Sequence, residues 1–155
     1  LVRSILEKDP ENVEARLLEL ISMSKLDGEK IPGKKIEDLL SSIEPQIKRL
    51  ENDNSYGIKR KKAGLYATRA FLYRFKNLQA SAINEFEKSL DMMPDQPLAV
   101  ESYAEALLDR GRIVDAGSLF KKYEKRDNTQ NLAWQRLKSR VKAMDQVSER
   151  KVKQP

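Results

Sequence analysis

Ile36, Leu39, Leu40, Ile43, Ile47 and Leu50 recur at intervals of 3, 1, 3, 4 and 3 residues. That spacing puts them on one face of a helix, and it predicts one over 34–51. Pro45 lies inside the stripe. It has no N–H to give to the preceding turn, so a kink or local break is expected there. Upstream, Val13, Leu17, Leu20 and Ile21 follow a 4-3-1 pattern that predicts a helix over 12–26. Gly28 and Pro32-Gly33 separate the two, giving a loop around 27–33. Leu1 to Leu6, followed by Asp9-Pro10, read as the end of an earlier helix and its stop. The polar run at 51–55 reads as a turn carrying a helix N-cap, ahead of a helix over 56–76.

From Tyr66 onward the pattern repeats. Tyr66, Val100 and Trp134 are spaced by 34 and 34, and the same offset carries Tyr73 to Leu107 to Val141. Ala70 matches Ala104, Ala82 matches Ala116, and Phe86 matches Phe120. A fixed period of this length marks a stacked helical array, in which each unit buries its apolar stripe against the next. Small residues at 70, 82, 104 and 116 permit close helix approach, and the large ones fill the spaces between helices. Trp134 reads either as core at the start of a helix closing the stack or as an exposed anchor.

The period and its landmarks resemble the tetratricopeptide repeat, a unit of two antiparallel helices. In residues 63–96 the landmarks are Tyr66, Ala70, Tyr73, Ala82, Phe86, Ser89-Leu90 and Pro94. In residues 97–130 they are Val100, Tyr103-Ala104, Leu107, Gly111, Ala116 and Phe120. Gly111 sits where the family makes its tight inter-helix turn, which needs a φ that a Cβ opposes. The chain departs from the family at Arg69, in place of a usual Leu, and at Asn77, in place of the turn Gly. Glu124 and Asn128 likewise replace a usual Leu and Pro.

Pro10 and Pro94 lie 84 residues apart, about 16 more than two periods. The N-terminal unit (1–54) thus carries an insertion, in a longer 27–33 loop, a longer 34–51 helix and an early start to the 56–76 helix. The expected fold is all-α: a right-handed α-solenoid of antiparallel helix pairs forming a single domain over 1–155, with about three to four units and about seven helices. Residues 131–147 would form a capping or partial-repeat helix, and 148–155 a basic tail.

Composition narrows the chemistry. The chain has no cysteine and no histidine. Disulfides and thiolate metal sites are therefore excluded, and so are His-zinc sites and Ser-His-Asp triads. It has no phosphate-cradling Gly loop and no nucleophile motif. It reads as a non-enzyme that needs no cofactor. No run of about 18 apolar residues suggests membrane insertion. The chain opens on Leu1 within an apolar pattern and so reads as a fragment of a longer protein. The absence of cysteine does not fix the compartment; a soluble, cytoplasmic location is the favoured expectation, with the periplasm left open.

The net charge of +6 is uneven. Residues 121–155 hold eleven Lys/Arg against four Asp/Glu, leaving residues 1–120 near neutrality. A second basic cluster is Lys59, Arg60, Lys61 and Lys62. These charges read either as a phosphate-contacting patch or as a solvated helix face with a frayed tail.

In the family, first helices of successive units line a concave groove. The resemblance implies that Thr68, Phe71, Arg74 and Phe75 face it from one unit. Glu101, Ser102, Glu105, Leu108 and Asp109 would follow from the next, then Gln135, Arg136 and Ser139. Phe71 and Phe75 would be apolar anchors for a partner protein or peptide, or core at a helix junction. A carboxylate clamp found in some relatives is missing, since its positions hold Ala67, Phe71, Leu98 and Ser102. The implied function is a protein-interaction scaffold. The alternatives are a basic platform in a ribonucleoprotein assembly, or the accessory domain of a larger enzyme. Self-association through exposed ends of the array is a further expectation.

Overall fold

The computed structural model describes residues 2–27, 31–123 and 132–152, with side chains placed for all of these except 23–27, 132, 133 and 148. Every regular element among them is an α-helix: α1 (Val2–Lys8), α2 (Val13–Asp27), α3 (Gly33–Leu50), α4 (Tyr56–Phe75), α5 (Gln79–Met92), α6 (Pro97–Asp109), α7 (Ile113–Tyr123) and α8 (Leu132–Val152). The all-α class is as expected. The described helices number eight rather than about seven, because the short segment before Asp9-Pro10 stands as a helix of its own. Two compact units divide the chain, Leu1–Pro94 and Asp95–Pro155.

In the first unit, α1 packs on α2, α2 packs on α3 and α4, and α3 packs on α4. Ile36, Leu39, Ile43 and Ile47 are buried, so the α3 stripe is core. The helix runs unbroken through Pro45, which is exposed. The expected local break is absent: buried isoleucines lie in the turns on either side, and the proline ring is on the solvent side. Ser55 occupies the N-cap position of α4 but makes no side-chain capping bond. Asp53 Oδ1 instead accepts the Ser55 N–H at 2.9 Å.

α4 and α5 form an antiparallel hairpin. Near its open end Ser89 Oγ donates to the Ala63 carbonyl at 2.7 Å, a bond that satisfies a fully buried hydroxyl. Nearer the turn, Phe71 and Phe86 meet edge to face at 5.3 Å between ring centroids. Ala70 and Ala82 are fully buried and keep the two helices close.

The second unit repeats the device. α6 packs on α7, and α8 packs on both. Ala104 and Ala116 are fully buried, like their counterparts 34 residues earlier. Trp134 is buried against Phe120, edge to face at 4.4 Å, so its role is core packing. α8 continues to Val152, through the start of the stretch expected as a tail. Ser148 to Lys151 are compatible with helix, so nothing in the sequence stops it at 147. Glu124, Asn128 and residue 131 lie outside the described residues.

The two hairpins share their backbone bonding. At the end of α4, the Leu78 N–H bonds the Tyr73 carbonyl at 2.8 Å and the Asn77 N–H bonds the Arg74 carbonyl at 2.9 Å. At the end of α6, Arg112 N–H bonds the Leu107 carbonyl at 2.9 Å and Gly111 N–H bonds the Leu108 carbonyl at 2.9 Å. Both are Schellman closures, which satisfy the last carbonyls of a helix and turn the chain back on itself. The next helix starts alike in both, with Ala82 N–H to Leu78 and Ala116 N–H to Arg112. The helices around the insertion are longer: α4 has 20 residues against 13 in α6, and α3 has 18 against 14 in α5.

Candidate interaction site

The residues expected to line a groove divide into two groups. Thr68, Phe71, Ser102 and Leu108 are buried. Thr68 Oγ1 donates to the Gly64 carbonyl within α4, and Phe71 packs on Phe86. These side chains belong to the interior, because the wide apolar face of each hairpin takes in positions that helical spacing alone places at its edge. The others are accessible. Arg74 is half-buried and Phe75 is 39% exposed at the end of α4. On α6, Glu101 and Glu105 are half-buried, and on α8, Gln135, Arg136 and Ser139 are exposed. Asp109 is held by Arg140 at 3.2 Å, joining α6 to α8.

The basic cluster also loses a member. Lys62 is only 5% exposed. Its Nζ donates to the Glu51 carbonyl at 3.4 Å and to Asn54 Oδ1 at 3.2 Å, so it pins the turn between α3 and α4. A buried ammonium needs such acceptors. Lys59, Arg60 and Lys61 remain exposed.

Arg69, the departure from the repeat pattern, organises an ion network. Its guanidinium donates to Glu85 from Nε at 2.7 Å and lies 2.6 Å from it at Nη2, while Nη1 reaches Glu44 on α3. Lys88 completes the group at 3.0 Å from Glu85, and both cations lie over the Tyr66 ring. Burial works to lower the guanidinium's pKa. The hydrogen bond and charge of Glu85, with Glu44 behind it, outweigh that and raise it above its ordinary value. The network therefore clamps α3, α4 and α5 together, a structural role that occupies these charges.

A cleft of about 850 Å³ opens elsewhere in the first unit, among the α1–α2 turn, α2, α3 and α4. Val13 and Leu65, both buried, form part of its apolar floor. Its acidic lining residues, Asp9, Glu11 and Glu14, come from the α1–α2 turn and the start of α2. Its basic ones, Arg49, Arg60 and Lys61, come from α3 and α4. The Glu14 carboxylate lies across α4 at Gly64, where an added Cβ would stand 2.1 Å from Glu14 Oε1. Gly64 is thus a close-approach position. Of these residues the sequence offers only Arg60 and Lys61 as candidate binding residues. The others come from three separate stretches of chain, and no spacing rule links them.

Among the described residues no group of His, Cys, Asp or Glu could hold a metal ion, and no helix is long and apolar enough to cross a membrane. Compared with protein-family models, curated proteins and solved structures, the chain finds no match in any of the three.

Proposed function

We propose that this chain is a protein-interaction scaffold, a helical-repeat array of the tetratricopeptide type. The observation that supports this reading is the recurrence of one helical hairpin at 34 residues, in its buried alanines, the buried Phe86 and Phe120, and its turn hydrogen bonds. Tandem hairpins of this kind generate extended helical surface on which partner segments dock. Among the accessible groove candidates Arg74, Phe75, Glu101, Glu105, Gln135 and Arg136, the two arginines and the aromatic are of the types that carry binding energy at protein surfaces.

The test is capture of a partner from source lysate by the wild-type chain beside a Phe75→Ala/Arg136→Ala variant whose helicity is verified by circular dichroism. Both positions are accessible, so the variant is expected to fold. Loss of a protein band in the variant supports the scaffold. Retention of every band in the variant overturns this surface.

A second reading has its own support. Lys59, Arg60 and Lys61 are exposed together, and α8 carries an excess of Lys and Arg. In a basic platform for nucleic acid these residues would contact phosphates. Bound material would then vanish with nuclease and with moderate salt.

A further inference from the structure

We infer that the cleft among α2, α3 and α4 is a binding site for a partner peptide segment of mixed charge, with an acidic part facing Arg49, Arg60 and Lys61 and a basic part facing Glu14. The inference rests on the protein-binding reading above and assigns it a second site, distinct from Phe75 and Arg136.

Three observations carry it. First, the cleft's charges are segregated by element, acids on the α1–α2 turn and α2, bases on α3 and α4. Second, Glu14, Arg49, Arg60 and Lys61 pair with no side chain among the described residues, although all line one cleft of about 850 Å³. Opposite charges held within one concavity but too far apart to pair leave a field that an amphoteric ligand satisfies at both ends. Third, Gly64 makes room for the Glu14 carboxylate on the α4 backbone.

The volume lies near the upper end of the roughly 300–1,000 Å³ usual for ligand sites, more than one free amino acid fills. The floor at Val13 and Leu65 is apolar and suits a side chain between the charged ends. A polyphosphate chain fits poorly. Three carboxylates line the same cleft as the three cations, and the formal charges of this lining cancel.

The experiment uses the full chain and fluorescein-labelled octapeptides: one with lysines at one end, leucines in the middle and glutamates at the other, the same peptide in reverse order, and an all-glutamate control. Anisotropy titrations at low salt are compared for wild type, Glu14→Gln, Arg49→Ala/Arg60→Ala and Phe75→Ala/Arg136→Ala.

The expected result is binding of one mixed-charge order over the other and over the all-glutamate control. Glu14→Gln and the double arginine variant should each weaken it about tenfold, and the Phe75 variant should leave it unchanged. Equal affinity in all variants, or no binding of either order, overturns the cleft. Binding of a single-stranded oligonucleotide that Glu14→Gln strengthens and the arginine variant abolishes also overturns it, in favour of nucleic acid. If a lysate partner is lost with Phe75→Ala/Arg136→Ala while the cleft variants bind the peptides like wild type, the scaffold stands and the cleft falls. The converse result removes the first surface and keeps the cleft.

Discussion

Asn77 and Gly111 stand 34 residues apart and share one backbone state, with φ of 59° and 70°. Each follows the C-cap of a first helix and turns the chain into the second. Among the described residues Asn77 is the only non-glycine residue at positive φ. Asparagine tolerates the left-handed region better than other residues with a Cβ, but less well than glycine. Asn77→Gly is therefore expected to raise stability by some tenths of a kcal/mol, and Asn77→Ala to lower it by about 1 kcal/mol. Gly111→Ala should cost about 1 kcal/mol or more, since nothing crowds its Cβ and only the φ opposes it. Urea midpoints of the three variants would check this, and a Gly111→Ala midpoint equal to wild type would refute the shared turn.

Arg69 and Glu85 occupy the positions that Tyr103 and Leu119 hold in the second hairpin. Removing Arg69 takes the closer of two cations from the buried Glu85 carboxylate and leaves it only Lys88, at 3.0 Å. Arg69→Leu alone is expected to cost about 3 kcal/mol. Arg69→Leu/Glu85→Leu should recover most of that, because an apolar pair of similar size needs no desolvated ions. A double-mutant cycle measures the coupling. If the double variant is as unstable as the sum of the single ones, the pair is not acting as a unit.

Phe86 is fully buried and meets Phe71 edge to face. Phe86→Ala should cost roughly 3–5 kcal/mol, from the lost transfer energy and the cavity left between α4 and α5. Thermal melts followed by circular dichroism read the effect directly. A melt equal to wild type would mean that Phe86 does not fill the space between α4 and α5.

Asp53 gives the fold a pH dependence of known sign. The Ser55 backbone N–H and then its hydroxyl hold the Asp53 carboxyl below its ordinary value, with the Lys62 charge adding to them. A carboxyl depressed in the folded state contributes stability above its unfolded value, near 3.9. That contribution disappears as pH falls through the lower folded value. Wild type should therefore exceed Asp53→Asn in stability at neutral pH, and the difference should shrink below about pH 4. A difference constant from pH 7 to pH 2 would show that protonation of Asp53 is not its cause.

Periodicity along the chain was enough to locate the helices and the 34-residue hairpin. Periodicity and turn residues are local signals, and a helix closes its hydrogen bonds within its own segment. The boundaries of α3 and α4 fall within one residue of those read from the stripe and the polar turn, and the equivalence of Asn77 with Gly111 was visible in the spacing. The rest depended on how the helices pack. Whether Thr68, Phe71 and Ser102 lie inside or outside depends on how wide a face the neighbouring helices cover, which no single helix encodes. Lys62 looked like its three basic neighbours until the turn at 51–54 supplied its acceptors. Pro45 looked like a breaker, yet α3 continues through it with buried isoleucines on either side. The cleft is the clearest case. Its acids and bases are far apart in sequence, and only the packing of α2, α3 and α4 gathers opposite charges into one concavity without letting them neutralise each other.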